Sequence, residues 1–160
     1  EGTYPLPEAQ LDRFMFSIYL NYPSFAEEVF VAKNTTNDDE AKVNAVVSAE
    51  DILSYQHLIR RIPIADNVVE YAVRLATKTR PGQEDSPELV KNYLDWGAGP
   101  RASQNLVLAA KAYAAIRGKF SPDIEDVQAV YYAILNHRIV RNYKAEAEGI
   151  TERDIIKTLL

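Results

Sequence analysis

The sequence predicts an all-α protein, a bundle of about six or seven helices with room for one short β pair, preceded by an isolated strand. The first observation is composition: of 160 residues, 47% are hydrophobic and 26% are charged, which is typical of packed globular chains. The second is a series of helix-capping signals, in which Ser, Thr or Asp stands three residues before an acidic side chain. The third is the helical spacing of apolar residues after most of these signals.

The N-terminal part of the chain is predicted to be extended. Pro5 and Pro7 interrupt any early helix, because proline lacks the N–H that a helix interior needs. Large apolar side chains then alternate with other residues over 11–20, which is the period of a β-strand. A lone strand leaves its backbone groups unpaired, so we expect this segment to be disordered, rearranged or paired with another molecule.

Helices are then predicted along the rest of the chain, and most begin at a capping residue. In the second of them, Ile52, Tyr55 and Leu58 are expected to face the core. The segments 45–47 and 62–64 are β-prone and are expected to pair. The predicted helices span 24–33, 48–61, 66–79, 86–96, 100–117, 123–135 and 151–160, with a polar loop at 34–42 and a turn at 146–149.

The helix at 100–117 has an unusual first turn. Two glycines and Pro100 end whatever precedes it, and proline is favoured at the first helical position. Arg101 follows in the first turn, where the positive end of the helix dipole disfavours a cation. Its position is explained either by an anion such as phosphate in front of the helix or by a surface ion pair with a nearby carboxylate.

Charge and residue content exclude several kinds of site. The net charge of −5 argues against general nucleic-acid binding. Without cysteine, disulfides and thiolate metal sites are impossible, and the distant His57 and His137 do not form a metal site with clustered carboxylates. No apolar run reaches the roughly 20 residues that cross a bilayer, and no signal peptide is evident, so a cytoplasmic protein is expected.

Two motifs resemble one known family. The run Gly97-Ala-Gly-Pro-Arg-Ala-Ser103, with the Ala-rich helix that ends in Ala115-Ile-Arg-Gly-Lys119, closely resembles the sensor 2 motif of the MoxR family of AAA+ ATPases. The family usually has Ser in place of Gly99. The run Glu1-Gly-Thr-Tyr-Pro-Leu-Pro-Glu-Ala-Gln-Leu-Asp-Arg-Phe14 resembles the segment that follows sensor 1. The two motifs stand in the family's order, which makes the resemblance specific.

The resemblance implies two arginines that act on the nucleotide. Arg101 corresponds to the sensor 2 arginine, which contacts the nucleotide phosphates, with Pro100 and Ala102 beside it at the binding site. Arg13 corresponds to the arginine finger, which reaches the γ-phosphate bound by the neighbouring subunit. A guanidinium supplied in trans stabilises the charge that spreads over the phosphate oxygens during transfer.

The resemblance also implies a domain organisation and cofactors. Residues 1–24 correspond to the C-terminal tail of the ATPase core, with its last strand, and residues 25–160 to the helical lid. The chain is therefore expected to be part of a longer protein that uses ATP and Mg²⁺. It has no G-x-x-x-x-G-K-[ST] run to cradle phosphates, so alone it is expected to bind no nucleotide and to be inactive.

The implied activity is that of a ring, expected to be a hexamer, which couples ATP hydrolysis to chaperone-like maturation of other complexes. The expected partners are the chain's own ATPase core, neighbouring subunits and a von Willebrand factor A domain protein. Three alternatives stay open: the lid of a magnesium-chelatase-like subunit, a non-catalytic helical interaction module, and a DNA-binding helical domain. Net negative charge and the short basic group Arg138, Arg141 and Lys144 count against DNA binding.

Overall fold

The computed structural model describes Tyr4, residues 6–38 and residues 43–160. Within this part the chain forms the helices α1 (Glu8–Leu11), α2 (Phe25–Thr35), α3 (Ala49–Arg61), α4 (Asp66–Thr77), α5 (Glu88–Tyr93), α6 (Pro100–Ile116), α7 (Ile124–Leu135), α8 (Tyr143–Glu148) and α9 (Glu152–Lys157), and the strands β1 (Leu94–Trp96) and β2 (Val140–Arg141). The all-α prediction with one short β pair is confirmed. Pro5 and part of the predicted polar loop lie outside the described residues.

The core lies around α6, which packs against α3, α4 and α7. The predicted apolar stripe of α6 is confirmed, because Leu106, Ala109, Ala110 and Ala114 are at most 2% exposed. Its alanines leave space for the neighbouring helices to approach closely. Larger side chains from α4, α7 and α9 fill the surrounding volume: Leu75, Val127, Ile134, Leu135, Ile155 and Ile156. This dense packing holds the first turn of α6 in a fixed position.

The helix-capping predictions are largely confirmed. Ser24, Ser48, Asp123 and Thr151 each accept a hydrogen bond from the backbone N–H three residues later, and each forms a reciprocal capping box. Each box satisfies N–H groups that the first turn of a helix leaves free. Ser86 was expected to cap α5, but it is buried instead, and its hydroxyl donates to the carbonyl of Arg80 over 2.7 Å.

The predicted β pair is wrong in its location. Residues 45–47 and 62–64 form no strand; instead β1 pairs antiparallel with β2, with Leu94 opposite Arg141 and Trp96 opposite Val140. The helix predicted over 86–96 ends at Tyr93, because Leu94 takes an extended backbone with φ −110° and ψ 139°. The packing of α5 against α8 and α9 brings the two strands together, and local propensity does not reveal such a contact.

Two short helices were not predicted. The turn expected at 146–149 belongs to α8, which Asn142 caps at its start and Gly149 ends in the left-handed region with φ 70°. Near the N-terminus, Pro7 is the N-cap of α1, although proline was expected only to interrupt a helix there. The missing N–H disfavours proline only inside a helix, and its preset φ is compatible with a helix start.

The isolated strand predicted over 11–20 is wrong. After α1 the chain turns and runs along the end of α7, where the Ser17 N–H donates to the carbonyl of Ala133 over 2.9 Å. Further on, Ile18 and Leu20 are exposed in an extended stretch without strand pairing. Of the three outcomes foreseen for this segment, rearrangement is therefore the one observed, with the backbone of α7 and the side chains just after it supplying hydrogen-bond partners in place of a sheet.

Much of the apolar side of α3 is exposed, although the helix packs against α6. Ile52, Tyr55 and Leu58 are all more than half exposed, which corrects the expectation that they would be buried. On α2, Phe25 and Phe30 are exposed as well. The helical spacing of these residues was identified correctly, but spacing does not specify which surface the helix packs against.

Candidate functional site

The candidate site lies where α6 begins. Gly99 is the N-cap, so no side chain caps the first turn, and that turn carries no acidic residue. Arg101 projects from this turn with a side chain that is 46% exposed, and its Nη1 lies 2.6 Å from Oδ2 of Asp12. Of the two explanations for an arginine at this position, the ion pair with a carboxylate is thus present here, and an exposed ion pair can exchange its anion readily.

The loop before Arg101 is held by the end of α4. The Ala98 N–H donates to the Thr79 hydroxyl over 2.8 Å, and Arg80 Nε donates to the carbonyl of Ala98 over 3.0 Å. Gly97 packs so closely against this turn that a Cβ added to it would lie 2.3 Å from the Thr79 carbonyl oxygen. Only glycine is compatible with such close contact. The loop therefore gives Arg101 a rigid origin.

Asp12 links Arg101 to a second arginine that the sequence analysis had not assigned to the site. Oδ1 of Asp12 lies 3.0 Å from Nε of Arg138, whose side chain is only 1% exposed. The same guanidinium donates to the carbonyl oxygens of Asp12, Phe14, Met15 and Ile134. Burial lowers the pKa of Arg138 and its contact with Asp12 opposes that shift, but a guanidinium stays charged in proteins.

Two neighbours of Arg138 bind the same N-terminal segment. His137 Nε2 lies 3.1 Å from the carbonyl oxygen of Phe14, and the side-chain amide of Asn136 donates to the carbonyl of Ser17 over 3.0 Å. Burial, assisted by the positive charge of Arg138, lowers the pKa of His137 below its ordinary 6.5. The imidazole is therefore neutral at pH 7, and it contacts the backbone of the N-terminal segment.

Arg13 lies in the turn after α1, between residues that Arg138 binds. Its backbone N–H donates to the carbonyl of Gln10 over 3.0 Å, and its residue is exposed. Its guanidinium makes no hydrogen bond or ion pair with any residue in the described part of the chain. Within the described part of the chain, Arg13 is thus exposed and unpaired, while Arg101 is paired with Asp12.

The other two predicted site residues differ in accessibility. Pro100 is exposed at the first helical position, whereas Ala102 is fully buried and its N–H donates to the Gly99 carbonyl over 3.0 Å. Beside them lies a cavity of about 220 Å³, and its lining includes Glu8, Asp12, Trp96, Gly97, His137 and Arg138. Arg101 is the predicted residue whose side chain can reach an incoming anion.

The basic residues near Arg138 have separate structural roles. Arg141 Nε lies 2.7 Å from Oε1 of Glu152, and the Lys144 ammonium lies 5.1 Å from the centre of the Tyr93 ring. The two side chains thus contact different parts of the chain. No sequence pattern indicated the contact of Arg138 with residues 12–15.

Within Tyr4, 6–38 and 43–160, no group of three His, Cys, Asp or Glu residues could hold a metal ion. In the same residues, no helix is both long enough and apolar enough to cross a bilayer.

Comparison with known proteins gives a consistent result. A family model described as an AAA lid domain matches residues 87–159. The chain is 35% identical to the chaperone MoxR1 of Mycobacterium tuberculosis and 35% identical to the protein YeaC of Bacillus subtilis, in both cases over all of this chain. These matches cover 42% and 48% of the two relatives, so the chain spans about half the length of the curated proteins it matches.

A solved structure shows the same fold. The crystal structure of a proposed ATPase from Cytophaga hutchinsonii superposes with a TM-score of 0.91 at 41% identity. The superposition covers 99% of this chain and 48% of that protein. The start of α6, with Arg101 at its tip, lies inside the region that the family model matches.

Proposed function

The chain is a MoxR-type AAA+ segment that contains an AAA lid domain, and on that premise we propose that it serves in an ATP-hydrolysing ring. In the intact protein, residues 25–160 act as the lid and residues 1–24 as the tail of the ATPase core. ATP and Mg²⁺ bind to the core, since this chain holds no phosphate-cradling loop. The chain by itself is inactive, and its contribution is to place two arginines at nucleotide sites.

The observation that supports this proposal best is the environment of Arg101. A half-exposed guanidinium stands at an uncapped helix start, beside a cavity, on a loop fixed by close contact with α4. A guanidinium at the N-terminal end of a helix, where the helix dipole is positive, favours a phosphate. A phosphate that binds there replaces Asp12 as the partner of Arg101, so the lid can respond to the presence or loss of the nucleotide.

Arg13 has the complementary role in the proposal. It is exposed and unengaged by the described part of its own chain, as expected of a group that acts on a neighbouring subunit. There it stabilises charge on the transferring phosphoryl group. Because the carboxylate of the preceding residue pairs with Arg101, the two nucleotide-directed arginines lie at one end of the lid.

We further propose that the ring, a hexamer in the cytoplasm, couples this lid motion to chaperone-like remodelling. The relative MoxR1 is named a chaperone, which supports this reading over a magnesium-chelatase-like subunit. A von Willebrand factor A domain protein is the partner proposed from the family resemblance. The match to an AAA lid domain disfavours an unrelated helical interaction module.

The test is ATP turnover by the intact parent protein with Arg101→Ala or Arg13→Ala, alongside Arg61→Ala, which changes an exposed arginine at the far end of α3. Arg101→Ala and Arg13→Ala should each lose most of the turnover, with ATP binding retained in Arg13→Ala, while Arg61→Ala should match the wild type. Wild-type turnover by Arg101→Ala would contradict the proposed sensor role, and wild-type turnover by Arg13→Ala would contradict the finger role.

A further inference from the structure

Arg138 binds the backbone on both sides of Arg13. We propose that Arg138 is a positioning residue for Arg13: its buried guanidinium, at the end of α7, holds residues 12–15 so that the Arg13 side chain faces a neighbouring subunit. This inference rests on the proposed function of Arg13 as a group acting in trans, and it adds a lid residue through which that function is organised.

The hydrogen bonds of Arg138 account for its whole donor capacity. Nε donates to the Asp12 carboxylate, Nη2 to the carbonyls of Asp12 and Phe14, and Nη1 to the carbonyls of Met15 and Ile134. A guanidinium has five N–H donors in a rigid planar fork, and four of these five bonds go to the segment around Arg13. A lysine offers three donors from one atom and cannot reproduce this arrangement.

Because Arg138 is buried, its guanidinium interacts mainly with the protein groups around it. Only 1% of its side chain is exposed, so it cannot bind an external ligand directly. A buried charge is unfavourable unless it is paired and hydrogen-bonded, and here the N-terminal segment supplies nearly all of the compensation. The segment in turn depends on Arg138, because residues 12–15 lie outside any sheet.

The neighbouring contacts reinforce the same segment from the same helix end. His137 contacts the Phe14 carbonyl, and Asn136 binds the Ser17 carbonyl. The side chain of Arg13 makes no hydrogen bond or ion pair within the described part of the chain. The direction of its side chain is therefore determined by how its flanking peptides are held.

Asp12 extends this arrangement to the nucleotide-facing arginine. Its two carboxylate oxygens contact different cations, Oδ2 with Arg101 and Oδ1 with Arg138. When a phosphate takes Arg101, the bonds from Arg138 remain to hold Asp12 and the peptide that follows it. The bonds from Arg138 thus keep the segment that carries Arg13 in place.

The experiment uses the intact parent protein with Arg138→Lys, which keeps the charge and loses the fork. The matched control is Arg141→Lys, whose partner is Glu152 and which does not contact residues 12–15. Arg138→Lys should lower ATP turnover by about 10²-fold, as small misplacements of a reacting group do, with ATP binding unchanged. Arg141→Lys should turn over ATP like the wild type.

A mixing experiment separates positioning of Arg13 from any effect on the subunit's own site. Subunits with Arg138→Lys are mixed with Walker-defective subunits that carry intact Arg13 and Arg138. Restored turnover is expected, because the neighbour supplies a correctly held Arg13. Failure to restore turnover under conditions that rescue Arg13→Ala would overturn the proposal, as would wild-type turnover by Arg138→Lys alone.

Two further readouts keep the outcome interpretable. The double variant Arg13→Ala with Arg138→Lys should turn over ATP as fast as Arg13→Ala. In the proposal Arg138 acts only by positioning Arg13, so its substitution has no further effect once Arg13 is absent. Backbone hydrogen exchange over residues 12–17 should be faster in Arg138→Lys, and unchanged exchange would contradict the proposal even if the variant assembles poorly. Wild-type turnover by Arg13→Ala would instead remove the proposed function on which this inference rests.

Discussion

At each end of the α6–α7 pair a carboxylate lies between two cationic side chains, but the two clusters differ in burial and in origin. At the end where the helices are connected, Asp126 is fully buried, with Lys119 Nζ at 2.9 Å and Arg117 Nη1 at 3.8 Å. At the open end, Asp12 is 29% exposed, with Arg101 at 2.6 Å and Arg138 at 3.0 Å. We call them the Asp126 cluster and the Asp12 cluster.

The difference in burial indicates that the Asp126 cluster is a structural ion pair and that the Asp12 cluster can exchange its partner. All members of the Asp126 cluster come from one short stretch, and Asp126 also accepts from the Asp123 N–H in the capping box of α7. Hydrogen bonds to Asp123 and then Asp126 raise the pKa of Lys119 above its ordinary 10.5. In the Asp12 cluster the carboxylate comes from a distant part of the chain, and one cation is open to solvent, so an external anion can compete for it.

The largest expected effect comes from Asp126→Ala, which removes the cap and the buried partner of Lys119. The free energy of unfolding should fall by about 3 kcal/mol, because the fully buried carboxylate accepts hydrogen bonds from Lys119 and from the Asp123 N–H, and both bonds are lost together with the cap. Denaturant unfolding measures the change. Asp95→Asn, at an exposed position on β1, is the control and should be neutral. If Asp126→Ala lost less unfolding free energy than Asp12→Asn, burial would not distinguish the two clusters.

The second-largest loss of stability is expected for Gly97→Ala, which tests the loop that supports the Asp12 cluster. An added methyl would meet the Thr79 backbone at 2.3 Å, so we expect a loss of about 2 kcal/mol in unfolding free energy. In the intact protein ATP binding should persist while turnover falls, because Arg101 is displaced. Gly99→Ala has open space around the new Cβ and should cost less than about 1 kcal/mol. Equal effects of the two substitutions would contradict the role of this close contact.

A smaller effect is expected for Asp12→Asn. The amide retains the volume and can still accept from Arg138, but it loses the charge that pairs with two arginines. Since Asp12 is partly exposed, the unfolding free energy should fall by about 1 kcal/mol. Thermal unfolding of Asp12→Asn and Asp126→Ala under the same conditions compares the two losses in unfolding free energy. A larger loss for Asp12→Asn would mean that the Asp12 cluster, and not the Asp126 cluster, is the structural one.

The smallest expected effect is the contribution of His137 to the pH dependence of stability. The pKa of His137 is lowered below 6.5, mainly by burial and also by the positive charge of Arg138. The Phe14 carbonyl and Asp12 oppose that shift. The unfolded chain therefore binds the proton at a higher pH than the folded chain, so the folded state loses stability as pH falls through 6.5. His137→Gln should remove this part of the pH dependence, measured by unfolding between about pH 7.5 and 5.5.

The control for that measurement is His57→Gln, which changes an exposed residue of α3 and should leave the pH profile as it is. If the profile of His137→Gln is the same as that of the wild type, His137 does not titrate differently in the folded and unfolded chains.

Much of the helical architecture could be predicted because its signals are local. The capping boxes at Ser24, Ser48, Asp123 and Thr151 are encoded within four residues each, and the Ala-rich stripe of α6 lies within one helix. The predictions that failed concern contacts between distant segments. The β pair was expected in other segments, and much of the apolar side of α3 is exposed. Residues 11–20 bind a helix end in place of strands.

The candidate site divides in the same way. Arg101 could be identified because proline, glycine and a helix start surround it in the sequence, and Arg13 because a family motif includes it. Arg138 could not be assigned, because its role depends on contact with residues more than a hundred positions earlier in the chain. No local pattern encodes which carbonyl groups a buried arginine will bind.

By itself, then, the sequence determined the helix starts, the small-residue face of α6 and the kind of group at its tip, since each depends on side chains within one or two turns. Tertiary structure alone decided that Asp12 lies between Arg101 and Arg138, and that Gly97 has no space for a side chain. These features require segments from both ends of the chain to pack together. Burial in that packing then decides which ion pair is permanent and which can exchange.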